Sequence, residues 1–508
     1  MIVRYLHTIL ICVILLFPWS LSSQVSNQIG WFDQYFSDIP AIPDSLINAT
    51  SRLIESLESK EDQSTVARLL FIRFAGTSVM GYENVAVYIA ENYFLNKRLE
   101  WDDPAEKDLL QLYVDFHKNS LIGKTAPELT LTKLEGNELS LHSIKSRYIL
   151  IYFFDHNCSA CREGLPELKK IIDQYSHLSI CVYAVYTQSN RDNFESFILR
   201  ESDSGSSDNF ENWHFVYDPE NKSDFLRQYG VFSTPSMLLI DSQKEIIGRK
   251  LNNNTLKELL ASREDMLSST YTRAEAFVPE YLSLFDFSKQ QEIDDALVPL
   301  SKRVIEENIE MYNALFFHIF EYLAASPEQF NKEAALYTAD MFILPNRELW
   351  FDEWFINSRV PQIKEKIINN REGAVAQNII LTNSRGKDIK LHKIKGKYIY
   401  LYFFSPDCPI CTPFNYELKK IHRSLRRKRV KVISVYTGDD LTQLKEYLKN
   451  QSIPWPVYYY SSKNPIPLHK LFETEFIPQT YLLDKNKIIV RKGINTIKLN
   501  EFINNDIR

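Results

Sequence analysis

Glycine is scarce, 14 residues in a chain of 508, and proline stands at 21, which excludes fibrous and low-complexity classes. Cysteine is scarcer still. Six in the whole chain cannot staple a disulfide scaffold, so any core must be built from apolar burial. Hydrophobic residues make up 44%, enough for ordinary globular domains. An excess of one charge sign is also missing. The chain carries 65 acidic and 59 basic residues, a net charge of −6, with no domain-sized basic block, so it lacks the footprint of a duplex nucleic-acid binder. Beyond the first residues there is no apolar run long enough for a membrane span.

The start of the chain reads as a targeting segment, residues 1–23. Arg4 precedes an apolar run from Ile9 to Phe17, and Pro18, Ser20, Ser22 and Ser23 form a polar region of small residues. The run is short for a membrane span, and cleavage is expected after Ser22 or Ser23. Cys12 follows Ile11 rather than a small residue, so no lipoprotein is expected. The expectation is export to the periplasm or cell envelope.

The sequence repeats itself at a nearly fixed spacing. Ile149–Phe154 resembles Ile399–Phe404, and Glu167–Ile171 recurs as Glu417–Ile421, both 250 residues later. Val185-Tyr186-Thr187 recurs as Val435-Tyr436-Thr437, and Cys158/Cys161 as Cys408/Cys411. Upstream, Ala86, Tyr88, Ala90, Arg98 and Trp101 align with Ala335, Tyr337, Ala339, Arg347 and Trp350 at a spacing of 249. Two copies of one unit are expected, each a helical block followed by an α/β block. Near Ser202–Asp208 the first copy carries a polar insertion.

Each α/β block opens on a hairpin, turning at Glu135-Gly136-Asn137 or Ser384-Arg385-Gly386. A wholly apolar strand follows, Tyr148–Phe154 or Tyr398–Phe404, the pattern of a strand buried on both faces. Paired cysteines then lead into a helix. They read Cys158-Ser-Ala-Cys161 and Cys408-Pro-Ile-Cys411. At a helix N-terminus, unpaired N–H groups and the macrodipole stabilise a thiolate on the first cysteine. Two intervening residues make about one turn, so the second sulfur reaches the first. The first can attack a disulfide and the second can resolve the product. A four-cysteine zinc site is the competing use of such pairs, opposed by the separate strand–helix context of each. Cys181, in an apolar strand, reads as an inert buried thiol.

Together these residues resemble the thioredoxin-like superfamily, especially the TlpA/ResA-type envelope thiol–disulfide oxidoreductases. Gly123-Lys124-Thr125-Ala126-Pro127 is similar to that family's entry motif, and Phe153–Arg162 to its active-site strand and loop. Tyr229-Gly230-Val231 and Thr234-Pro235-Ser236 are similar to its later landmarks. The resemblance implies an α/β thioredoxin-like fold in two copies from a tandem duplication, each preceded by an all-α block. The blocks preceding them resemble a domain of unknown function found in Bacteroidetes envelope proteins, a likeness to which Gly30-Trp31-Phe32-Asp33 contributes. The expected division is 24–122 helical, 123–262 thioredoxin-like, 263–373 helical and 374–508 thioredoxin-like.

The resemblance further implies Cys158 and Cys408 as nucleophiles, Cys161 and Cys411 as resolving thiols, and cis-prolines at Pro235 and Pro478 shaping the substrate groove. Partners would be disulfide- or dithiol-containing envelope proteins, with a membrane thiol relay as electron source. No metal, nucleotide or flavin motif occurs, and no cofactor is expected. Departures matter too. The buried carboxylate of thioredoxins is replaced by Tyr152 and Tyr402. The TlpA/ResA-type glutamate falls at Gly164 and Phe414, and Glu163 substitutes only if the helix start shifts. Asp407 is expected to disfavour the Cys408 thiolate and His156, when protonated, to favour that of Cys158. The first copy is therefore the expected seat of catalysis. The opposing class is a binding or assembly protein whose cysteine pairs are static disulfides.

Overall fold

The computed structural model describes residues 32, 34–77, 79–101, 104–203, 210 and 212–505. The targeting segment, most of the Gly30–Asp33 stretch and residues 204–208 of the polar insertion lie outside the described residues. The chain divides into two units, Met1–Leu267 and Ser268–Arg508. Among the described residues no helix is long and apolar enough to cross a membrane.

Unit 1 begins with helices α1 (Pro43–Glu55), α2 (Lys60–Ala75), α3 (Tyr82–Ile89) and α4 (Pro104–His117). Proline opens α1, where its missing N–H costs nothing. Ser59 caps α2, its Oγ accepting from the Glu61 and Asp62 amides. These helices bury their own core, including Leu70, Phe74, Ala86 and Val114.

The α/β block follows as β1 (Thr130–Lys133), β2 (Glu138–Ser140), β3 (Tyr148–Phe154), α5 (Ser159–Gln174), β4 (Ile180–Tyr186), α6 (Arg191–Asp203), β5 (Trp213–Tyr217), α7 (Phe225–Gln228), β6 (Ser236–Asp241) and β7 (Ile246–Gly248). Strand order is β2-β1-β5-β4-β3-β6-β7. β3 is central, parallel to β4 and antiparallel to β6. All seven of its residues are buried. Side chains alternate across a strand. Leu150, Tyr152 and Phe154 therefore join the core under α5, and Ile149, Ile151 and Phe153 the core on the opposite face. Two apolar layers on one strand explain its uninterrupted hydrophobicity.

Helix α8 (Asn253–Leu282) is continuous through the division between the units. The junction expected at 262/263 is thus helical: residues 252–278 hold no glycine or proline to stop it. Unit 2 continues with α9 (Gln290–Glu307), α10 (Ile309–Ala325), α11 (Gln329–Thr338) and α12 (Val360–Asn370). Its α/β block contains β8 (Ile380–Asn383), β9 (Asp388–Lys390), β10 (Tyr398–Phe404), α13 (Cys411–Arg427), β11 (Val430–Tyr436), α14 (Leu441–Asn450), β12 (Val457–Tyr460), α15 (Leu468–Leu471), β13 (Gln479–Asp484), β14 (Ile489–Lys492) and α16 (Thr496–Asn505). Read from the hairpin edge, the sheet runs β9-β8-β12-β11-β10-β13-β14, the order of unit 1.

Within each unit a buried ion pair joins the helical block to the α/β block, and its polarity differs. In unit 1, Glu83 of α3 faces Arg249 at 3.4 Å, and both side chains are almost wholly buried. Gly230 makes room for that guanidinium: its φ is +63°, and a Cβ there would lie 2.6 Å from the Arg249 Nη2 and from the Phe116 carbonyl oxygen. In unit 2 the acid sits on the α/β side. Glu473 accepts from Lys332 of α11 at 2.5 Å and from Lys492 at 2.9 Å.

Candidate functional site

Each cysteine pair stands where the central strand hands over to the first helix of its α/β block, and each is joined as a disulfide, with Cα separations of 5.2 Å for Cys158–Cys161 and 5.3 Å for Cys408–Cys411. Opposite each pair is an X–Pro peptide in the cis form, Thr234–Pro235 and Ile477–Pro478. The Thr234 carbonyl oxygen lies 3.2 Å from the Cys158 Sγ, and the Ile477 carbonyl oxygen 3.5 Å from the Cys408 Sγ. Residues 76 and 69 positions apart in sequence thus meet at the sulfur.

The two sites differ in how the helix begins. Cys158 is the N-cap of α5, and its Sγ accepts the Cys161 amide N–H at 3.0 Å. Cys158 is half-buried and Cys161 wholly buried. In unit 2 the helix starts only at Cys411, with Ile410 as N-cap. The Cys411 amide bonds the Cys408 carbonyl instead, at 3.1 Å, and Cys408 is 8% exposed. Pro413 contributes to this: it has no N–H for the Pro409 carbonyl, so a turn begun at Pro409 would lack that bond.

The expected electrostatic modulators are placed as follows. The His156 Nδ1 lies 2.6 Å from the Tyr186 hydroxyl and 3.2 Å from the Asp155 carboxylate, and its Nε2 lies 2.8 Å from the Asn157 amide nitrogen. Its ring is thus engaged by three neighbours beside the cysteine. Asp407 is exposed and accepts from Gln443 Nε2 at 2.6 Å, while Gln443 Oε1 accepts from the Tyr436 hydroxyl at 3.0 Å. Glu163 is exposed on α5. Tyr152 and Tyr402 are buried behind the pairs, and the Tyr402 hydroxyl donates to the Cys411 carbonyl at 3.4 Å. Burial pushes the Tyr402 hydroxyl well above its usual pKa, so it remains a neutral donor.

Sequence reasoning missed the tyrosines that brace these loops. Tyr186 and Tyr436 fall in the repeated Val-Tyr-Thr segments, so the repeat itself was the available signal. It missed as well a cavity of about 240 Å³ in unit 1, where Glu167 and Asn253 meet Tyr152, Gly164 and Pro235. Asn253 Nδ2 donates there to the Gly164 carbonyl at 3.0 Å and to Glu167 at 3.1 Å.

A buried central strand, a Cys-x-x-Cys at the following helix and a cis-proline against the first sulfur define a thioredoxin-like thiol–disulfide oxidoreductase, and this arrangement occurs twice on the chain. Residues 122–249 and 373–492 each match the AhpC/TSA family, and both α/β blocks have the thioredoxin-like fold. The thiol-disulfide oxidoreductase ResA of Bacillus cereus is 21% identical over 151 residues, 30% of this chain and 82% of that protein. Peroxiredoxin Q, chloroplastic, of Oryza sativa is 28% identical over 124 residues, 23% of this chain and 56% of that protein. Among solved structures, the thioredoxin domain of a thiol-disulfide oxidoreductase from Bacteroides vulgatus is 25% identical, with a TM-score of 0.24, covering 27% of this chain and 97% of that one.

Proposed function

We propose that this chain is an exported oxidoreductase that exchanges disulfides with proteins of the periplasm or cell envelope, led by Cys158. The observation that carries this reading is the Cys161 amide directed at the sulfur of half-buried Cys158, with the Thr234 carbonyl 3.2 Å from that sulfur. In the reduced chain that N–H and the α5 dipole stabilise a Cys158 thiolate.

The thiolate attacks a substrate disulfide, forming a Cys158–substrate bond and releasing one substrate thiolate, which takes a proton from solvent. Cys161 then loses its proton and attacks Cys158, releasing the second substrate thiol. Two electrons pass from the dithiol to the substrate, and the Cys158–Cys161 disulfide forms. The backbone at Pro235 and Pro478 would pair with an extended substrate. Cys408 and Cys411 would run the same steps more slowly, because the Cys408 sulfur lacks the amide that serves Cys158. A membrane thiol relay would return the electrons.

The test is the trapped intermediate. Cys161→Ala removes the resolving thiol, so partners should accumulate on Cys158 as reductant-sensitive adducts in envelope extracts. An alkylatable Cys158 that collects no adducts would favour a static binding protein instead.

A further inference from the structure

We infer that unit 2 holds a polypeptide-binding cleft between its helical block and its α/β block, which takes the apolar chain flanking the cysteine presented to Cys408. This rests on Cys408 exchanging disulfides as proposed above. The cleft has a volume of about 770 Å³, within the range of functional pockets. Ala324, Ile363 and Ile367 line its helical wall, and Ile466, Phe476 and Gln479 its other wall.

Continuity with the sulfur comes from one short segment. Phe476 and Gln479 line the cleft, while Ile477, between them, places its carbonyl 3.5 Å from the Cys408 Sγ. A chain bonded through its cysteine to Cys408 is therefore delivered to the mouth of the cleft. Apolar surface surrounds that point. Ile410, between the two cysteines, is 64% exposed and Phe476 is 61% exposed. Large apolar groups clustered in the open beside a reactive sulfur mark a contact surface. Their unit 1 counterparts are the small residues Ala160 and Ser233.

Unit 1 closes the same junction with aromatic rings. His117 stacks on Tyr113 at 4.1 Å and faces Phe232 at 5.6 Å, and Phe116 meets Phe232 at 5.0 Å. The residues at these positions in unit 2 are Ile367, Ile363, Glu475 and Lys366. Two branched aliphatics and a Lys366–Glu475 ion pair replace four rings, and space opens where the rings would stack. Three ion pairs lie on the cleft walls: Arg359 with Glu321, Lys366 with Glu475, Lys332 with Glu473. The apolar stretches of the walls suit leucine- or valine-like side chains of an extended polypeptide, and the polar groups between them suit its backbone.

The experiment uses the full chain with Cys158→Ser, Cys161→Ser and Cys411→Ala, reduced. Two probes are offered, each activated as a mixed disulfide with nitrothiobenzoate. One is a decapeptide whose central cysteine is flanked by leucine and valine, the other glutathione. In each case the Cys408 thiolate bonds to the probe sulfur and expels the coloured nitrothiobenzoate thiolate. The rate for the decapeptide should exceed that for glutathione by about tenfold or more, the equivalent of about 1.4 kcal/mol. Ile363→Trp fills the cleft and Ile466→Glu places a charge at its wall; each should bring the ratio of rates close to one. A parent chain with no preference, or a preference unchanged in both variants, overturns the inference. Inertness toward both probes defeats the exchange reading of Cys408, and this inference falls with it.

Discussion

Acid should loosen unit 1 through a single histidine. His117 is 5% exposed and lies between the rings of Tyr113 and Phe232. Its Nδ1–H donates to the Tyr113 carbonyl at 2.7 Å, which fixes the neutral tautomer. Burial, and then the nearby Arg249 guanidinium, lower its pKa from the ordinary 6.5 to about 3. A base depressed in this way is neutral in the folded state while the unfolded chain takes up a proton. Its contribution is complete above pH 6.5 and drains away as pH falls from there toward about 3. The loss approaches about 1.4 kcal/mol per pH unit, so about 2 kcal/mol is gone by about pH 5. That is a large share of a typical stability of about 5–15 kcal/mol. His117→Phe keeps a ring in the stack and removes the titration. Hydrogen exchange of the buried amides in α3, at about pH 7 and about pH 5, reads the local stability. The wild-type chain should lose about 2 kcal/mol more than His117→Phe over that interval. Equal pH dependence in the two chains would refute the reasoning.

Three further outcomes are expected. Glu83→Gln removes the carboxylate that Arg249 faces in the interior, which should cost about 3 kcal/mol or more in unit 1 as measured by denaturant unfolding; a change within about 0.5 kcal/mol would contradict a buried ion pair. Burial pushes the Cys181 thiol up to about 11, so peptide mapping after iodoacetamide at neutral pH should find it modified only once the chain is unfolded. Ser434→Ala strips the Trp455 indole N–H of its acceptor at 2.7 Å, and about 1–3 kcal/mol of unit 2 stability should go with it, read from the urea midpoint.

Much of the redox site is legible without coordinates, because its signals are local. Cys158 and Cys161 announce themselves by spacing, Tyr148–Phe154 by unbroken apolarity, and the second site by repetition 250 residues later. What escapes the sequence is set by distant partners. Glu83 meets Arg249 across 166 residues, and unit 2 rebuilds that contact with the charges exchanged between Lys332 and Glu473. No local pattern encodes such a swap. The partner of the His156 ring is equally hidden, since the Tyr186 hydroxyl that meets it comes from 30 residues on. The later start of α13 was within reach, since Pro413 stands where the first copy has Glu163. Repeat arithmetic set a boundary at 262/263, five residues from the observed division at 267/268, but no local signal showed that helix α8 runs through it.

Turnover by the chain itself tests the central claim most directly. Reduction of insulin disulfides by dithiothreitol should be followed with the wild-type chain, Cys158→Ser and Cys408→Ser at equal concentration. The account predicts turnover well above dithiothreitol alone for the wild type, loss of most of it in Cys158→Ser and retention of most of it in Cys408→Ser. A wild-type rate no better than the free dithiol would contradict the enzyme, and a larger loss in Cys408→Ser than in Cys158→Ser would contradict the assignment of the leading site.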